Sequence, residues 1–226
     1  MISRVAVVPH PPLLVPELVG GAVAETAAVR AACLAAARDL AAHDVDWTAV
    51  AVDPTGPRTL EDVSGTFRGF GVDVPVSLSE RPSSVEPGLP LPALVAGWLR
   101  EHAGARSVRV HLVPPDLPTA DCVSFGSRLT GRALLVLGDG SHRHGELAVG
   151  RPDDRAGPFD EDVRRALAAA DVKGLADLDP ALADELGARG RAAWQVLAGV
   201  PGAWRCARSE FLVPFGVGYH VAVWEA

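Results

Sequence analysis

Strand-like and helix-like segments alternate along most of this chain of 226 residues. Short apolar runs rich in β-branched residues predict strands, and longer segments with apolar residues at helical spacing predict helices. In chain order these predicted segments cover residues 5–8, 22–42, 48–52, 91–102, 107–113, 120–129 and 133–137. Such alternation is typical of an α/β fold with a mostly parallel or mixed central sheet and helices on both faces. We therefore expect one domain spanning residues 1–226.

Histidines follow two of these predicted strands. The first strand runs into Pro-His-Pro-Pro, which presents His10, and the strand over 133–137 breaks at Gly-Asp-Gly-Ser and delivers His142 and His144. Prolines restrict the backbone around the first histidine, and glycines permit sharp turns before the others. Because the carboxyl ends of parallel strands meet at one edge of a sheet, we expect these histidines to converge there with Asp53, which follows the strand over 48–52.

Four short motifs occur in order over nearly the whole chain. They are Pro-His-Pro-Pro-Leu-Leu-x-Pro-Glu from residue 9, Gly-Asp-x-Ser-His-Arg from residue 138, Phe159-Asp160, and Pro-Phe-Gly-Val-Gly-Tyr from residue 214. In this order the motifs resemble the class III extradiol ring-cleavage dioxygenase superfamily. The likeness is to small bacterial proteins related to the catalytic subunit of protocatechuate 4,5-dioxygenase and, more distantly, to Memo-like proteins.

The resemblance implies a mononuclear non-haem Fe(II) site held by two histidines and one carboxylate. Such a site leaves coordination positions open for a catecholic substrate and dioxygen, while a further histidine acts as acid or base. By motif match, His10 is the first metal ligand and His142 is the acid/base histidine. His144 has no counterpart in the family and stays a spare catalytic candidate.

The chain departs from the family pattern at the other two ligand positions. Thr55 stands where the second histidine belongs, and a threonine hydroxyl is a poor ligand for a divalent first-row metal. Asp53 is either a substitute ligand or the residue that opens a proline turn. Glu185 is a candidate third ligand, or a solvated residue on an alanine-rich helix. Alternatively Arg189 occupies that position, and its charge would favour an anion over a metal cation.

Two main hypotheses for function follow. In the first, the protein is a non-haem Fe(II) ring-cleaving oxygenase that acts on a catecholic or related small aromatic substrate. In the second, it is a catalytically inactive, metal-free family member that binds a small molecule or a protein. Metal-assisted hydrolysis of a small substrate is a third reading, because it uses the same residues with water in the open position.

The charge and cysteine content bear on partners and location. A net charge of −7 with a single lysine argues against nucleic acid or an anionic membrane as the main partner. Cys33, Cys122 and Cys206 are far apart in apolar contexts, which predicts free thiols rather than disulfides. Without a secretory leader or an apolar run near 20 residues, we expect a cytoplasmic protein. The apolar C-terminal edge is a candidate surface for a homodimer.

Several polar residues have a structural reading as well as a functional one. His111 alternates with valines in a predicted strand, which favours a structural role. Asp160 lies near the start of a predicted helix, where capping is the default and orienting His142 is the alternative. The C-terminal third is predicted to add a helix over 190–198 and strands over 205–213 and 218–224. Tyr219 and His220 point to opposite faces of the last strand, so we expect one of them on its covered side.

Overall fold

The computed structural model describes residues 1–20 and 23–226. Its main feature is a seven-stranded sheet in the order β3-β7-β2-β8-β1-β10-β9. The strands are β1 (Arg4–Val8), β2 (Asp46–Val52), β3 (Arg58–Leu60), β7 (Ser107–Val113), β8 (Ala133–Leu137), β9 (Arg205–Leu212) and β10 (Tyr219–Glu225). All the strands predicted within this sheet are present, with ends that differ by a few residues.

The middle of the sheet is parallel and its margins are antiparallel. Strands β7, β2, β8 and β1 run in the same direction. Antiparallel strands complete the sheet, with β3 on β7 and with β10 and β9 beyond β1. Strand β8 is buried along its whole length, which explains why it is continuously apolar. The predicted α/β fold with a mixed central sheet is confirmed.

Helices cover both faces of this sheet. On one face lie α1 (Val23–His43) and α2 (Leu91–Ala103). On the other lie α3 (Thr119–Gly126), α4 (Ala156–Ala169), α5 (Val172–Ala176), α6 (Pro180–Glu185) and α7 (Arg191–Ala198). The predicted first helix began at Ala22, which lies outside the described residues. None of the described helices combines the length and apolar character needed to cross a lipid bilayer.

A small second sheet occupies the long connection between β3 and α2. It is built from β4 (Val63–Thr66), β5 (Pro75–Ser77) and β6 (Ser84–Val85). The strand predicted over 71–78 is therefore shorter, and the loop predicted over 81–92 contains one two-residue strand.

The parallel strands determine where the candidate site residues lie. Because β1, β2, β7 and β8 run in one direction, their carboxyl ends share one edge of the sheet. The segments that follow β1, β2 and β8 at this edge carry His10, Asp53 and the turn that leads to His142.

Candidate functional site

The turns after β1 and β8 meet at the carboxyl edge of the sheet, as predicted. The backbone N–H of His10 donates to Oδ1 of Asp139 over 2.8 Å. The Nε2 atom of His10 lies 3.9 Å from Oδ2 of the same carboxylate. His10 is buried, and its Nδ1 atom has no hydrogen-bond partner among the described residues. Asp139, which is not among the candidate ligands of the sequence analysis, thus supplies a carboxylate beside the first of them.

His142 lies beside the turn that follows α6. A Cβ atom on Gly187 would overlap the His142 imidazole, so only glycine leaves room for this ring. Gly187 also has a φ of 64°, a conformation that glycine adopts with least strain. Burial, followed by the charges of Arg143 and Arg189, lowers the pKa of His142 below its ordinary value. Burial and the two neighbouring arginines thus favour the neutral form of this imidazole.

Asp53 is engaged within its own turn. Its Oδ1 atom accepts hydrogen bonds from the backbone N–H of Thr55 at 2.9 Å and from the Thr55 hydroxyl at 2.6 Å. This is the arrangement of an Asx turn, in which an aspartate side chain caps the following backbone. The contacts of Asp53 correspond to the turn residue of the sequence analysis.

Glu185 lies at the carboxyl end of α6 and faces solvent. Its side chain is 58% exposed and forms an ion pair of 2.8 Å with Arg155. These contacts correspond to the solvated helical residue of the sequence analysis. Arg189 is also exposed, and it acts on His142 through its charge.

The donors at this edge do not fit a mononuclear iron centre. Across the described parts of the chain, no group of three or more His, Cys, Asp or Glu side chains is arranged to hold a metal ion. His10 and Asp139 supply two neighbouring donors, whereas Asp53 and Glu185 have the partners given above. A set of two histidines and one carboxylate around His10 is therefore not assembled.

A buried cluster that the sequence analysis missed lies on the α4 side of the sheet. Asp160 is completely buried, and its carboxylate oxygens lie 2.6 Å from Nε2 of His144 and 2.9 Å from Nε2 of His220. The backbone N–H of Ser141 donates to the same carboxylate over 3.0 Å. We call His144, Asp160 and His220 the Asp160 cluster.

The electrostatics of this cluster favour an ionised carboxylate. Burial acts to raise the pKa of Asp160, but the hydrogen bonds from His144 and His220 outweigh it and hold that pKa below its ordinary value. Two glycines and one aromatic ring leave just enough space for the cluster. A Cβ atom on Gly140 or on Gly218 would overlap the carboxylate, and Phe211 stacks on His220 with ring centroids 4.5 Å apart.

One sequence-based expectation is wrong here. Asp160 is not a cap, because α4 begins at Ala156 and the carboxylate of Asp160 bonds to side chains and backbone outside that helix. It orients His144 and His220 instead of His142. Tyr219 and His220 are both buried, since helices cover both faces of β10. A covered His220 needs a hydrogen-bond partner, and that requirement is the sequence signal that could have found the cluster.

Comparisons with known proteins support the fold and leave the activity open. No protein-family model matches the sequence, and no curated protein matches it. Among solved structures, the chain is similar to the crystal structure of an uncharacterized protein, JW3007, from Escherichia coli K12. The match has a TM-score of 0.57 and 12% sequence identity, and it covers 99% of this chain and 100% of the other. At this identity the likeness concerns the fold alone.

Proposed function

We propose that this chain is a metal-independent binding module on an extradiol dioxygenase-like fold, and that it takes a small anionic molecule beside His142. The observation that carries the proposal is the placement of two arginines near His142: Arg143 follows it in the chain, and Arg189 lines the cleft that Gly187 shares with the His142 ring. Neither arginine forms a salt bridge with the described residues. The Nε atom of Arg143 is buried and has no hydrogen-bond partner among the described residues.

A small cleft next to His142 would admit the anionic group of such a ligand. Its volume is about 20 Å³, and its walls include Val52, Pro115, Gly187 and Arg189. Gly187 contacts both the cleft and the His142 ring, so the two features are adjacent. An apolar wall beside an unpaired guanidinium group suits an aromatic carboxylate. A catechol carboxylate is therefore the first ligand to test.

Iron-dependent ring cleavage is the second candidate. The observation that favours it is the approach of His10 Nε2 to Asp139 Oδ2 at 3.9 Å, at the position where the resembled family begins its ligand set. This pair supplies two protein donors, and the resembled family uses three. The metal-independent binding function requires no third metal-coordinating residue, so we rank it first.

Metal retention separates the two candidates. Wild-type protein and the His10→Ala variant would be reconstituted anaerobically with Fe(II), desalted and analysed for iron. We expect far less than one iron per chain in both proteins, because His10 and Asp139 alone bind Fe(II) weakly. Near-stoichiometric iron in the wild type that is lost in His10→Ala would reject the metal-independent proposal in favour of the oxygenase.

Ligand binding tests the proposed site directly. Titration calorimetry with protocatechuate should detect binding to the wild type and binding roughly tenfold weaker in Arg189→Gln, because one charged contact is lost. Arg165→Gln is the matched control, since this arginine pairs with Asp162 on the surface of α4. Equal affinity in the wild type and Arg189→Gln would remove Arg189 from the site and contradict the proposal.

Three further properties stay predictions from the sequence. They are the cytoplasmic location, the absence of nucleic-acid and membrane partners, and homodimer formation at the C-terminal edge. Sedimentation velocity on the purified protein measures the last of these. On membranes, the structure shows only that no helix among the described residues is long and apolar enough to span a bilayer.

A further inference from the structure

A second cleft lies at the β3–β7 margin of the main sheet and shares no lining residue with the cleft beside His142. It opens between α3 and the β3–β7 pair at the margin of the main sheet, and its volume is about 400 Å³. Val113 is buried at its floor, and Pro57 and Phe125 contribute to its walls. Mostly apolar clefts of this size, with a few polar groups, are the usual form of small-molecule sites.

His111 presents one ring nitrogen to this cleft. Its Nδ1 atom lies 3.0 Å from the Thr59 hydroxyl, and its ring meets the Phe125 ring edge-on with centroids 5.6 Å apart. These two contacts hold the imidazole in place and leave Nε2 for another partner. Burial and then the charge of Arg109 lower the pKa of His111, so the imidazole is neutral near pH 7. When the Thr59 hydroxyl donates to Nδ1, the proton is on Nε2, which is then a donor.

Arg128 places a positive charge at the same cleft. Its guanidinium donates to the Ser124 hydroxyl over 2.6 Å and forms no salt bridge with the residues that the structure describes. Arg58, on the opposite wall, is already paired with Glu86. Asp121 also lines the cleft and disfavours a second negative group on a ligand. The polar groups therefore suit a ligand with one carboxylate.

We propose that this cleft is a second binding site, for a small molecule with an apolar ring and a single carboxylate. The ring occupies the space over Val113 against Phe125, and the carboxylate accepts hydrogen bonds from Arg128 and from Nε2 of His111. The site is separate from the one proposed beside His142, and it does not depend on that function. It also gives His111 a binding role in place of the structural one expected from the sequence.

Phenylacetate is a suitable probe, because it combines one ring with one carboxylate. Titration followed by two-dimensional NMR of the ¹⁵N-labelled full chain should show saturable shifts at residues near 57–59, 111–113 and 121–128. We expect a roughly millimolar Kd, in keeping with so small a ligand. Phenylacetamide, which has the same shape without the charge, should bind about tenfold more weakly.

Two variants locate the carboxylate. Arg128→Gln should weaken phenylacetate binding about tenfold, because the guanidinium supplies the charged contact. Arg165→Gln, which removes an arginine paired with Asp162 on the surface of α4, should leave it unchanged. Circular dichroism verifies that both variants fold, and Arg128 is exposed, so its loss should be tolerated.

Each of the following outcomes would overturn the proposal. One is the absence of saturable shifts at the cleft up to about ten times the expected Kd. Another is equal binding of phenylacetate and phenylacetamide, or unchanged binding in Arg128→Gln. Tighter binding of phenethylamine than of phenylacetate would assign the charge selection to Asp121. Saturable shifts only at residues around His142 would place the ligand at that site instead.

Discussion

Asp160 is the residue on which the local structure around the histidine turn depends most. A buried carboxylate is costly unless its oxygens are hydrogen-bonded, and here both oxygens have imidazole partners. The same carboxylate accepts from Ser141, so it ties the turn after β8 to α4 and to β10. His144 and His220 thereby stabilise the buried Asp160 carboxylate, whatever further role His144 has.

Replacing Asp160 by asparagine tests this at the residue scale. We expect Asp160→Asn to lower the free energy of unfolding by about 2–4 kcal/mol in urea denaturation, since two charged hydrogen bonds are lost in a buried site. Asp162→Asn on the same helix removes an exposed ion pair and should change it by less than about 0.5 kcal/mol. Similar effects of the two substitutions would contradict a special role for Asp160.

The pH dependence of stability provides a second readout for this residue. The folded-state pKa of Asp160 is lowered, so its contribution to stability is complete above about pH 4 and is lost as the pH falls through the folded pKa. The difference in unfolding free energy between the wild type and Asp160→Asn should therefore shrink below about pH 4. A difference that stays constant from pH 7 to pH 3 would show that the carboxylate is not ionised in the folded protein.

At the scale of elements, α3 and α7 approach each other closely at two glycines. A Cβ atom on Gly126, the last residue of α3, would collide with the Val196 carbonyl oxygen. A Cβ atom on Gly199, just after α7, would collide with the Val123 carbonyl oxygen. The two helices therefore pack backbone against backbone. This contact positions α3, which forms one wall of the cleft near His111.

Glycine-to-alanine substitutions in two helices should have opposite effects. Gly126→Ala should destabilise the protein by about 1–3 kcal/mol, because the added methyl group forces α3 away from α7. Gly157→Ala in α4 meets open space and should be neutral or stabilise it by up to about 1 kcal/mol, because alanine favours the helix. Thermal denaturation of both variants measures the difference. A neutral Gly126→Ala would mean that the two helices separate at little cost.

At the scale of the whole molecule, one sheet connects the two ends of the chain. Strand β1 pairs with β10, and the sheet separates two apolar cores, one under α1 and α2 and one under α3 to α7. Every central strand contributes side chains to both cores. If one core unfolds, the strands that the other core packs against are therefore disrupted as well. Folding is thus expected to be cooperative across the sheet.

Unfolding in urea should therefore be a single transition. Tryptophans report on both cores, because Trp98 is buried on the α2 side and Trp194 on the α7 side. The midpoint from tryptophan fluorescence should coincide with the midpoint from far-UV circular dichroism, which follows secondary structure. Separate midpoints, or a plateau between two transitions, would show that one face of the sheet unfolds independently.

The sequence by itself determined the order of strands and helices and the edge where the histidine turns meet. Buried parallel strands such as Ala133–Leu137 require continuous apolar runs, and turns require glycine or proline, so both leave local patterns that can be read. The meeting of His10 with the turn after β8 followed from strand direction alone. The turn role of Asp53 also rests on its neighbours in the chain.

Only the tertiary structure decided which partners the polar side chains take. Asp160 meets His144 and His220, which are 16 and 60 positions away, and Glu185 meets Arg155, 30 positions away. Such pairings depend on which helix packs over which strand, and no local periodicity records that choice. The burial of both Tyr219 and His220 likewise depends on which helices pack on the two faces of β10.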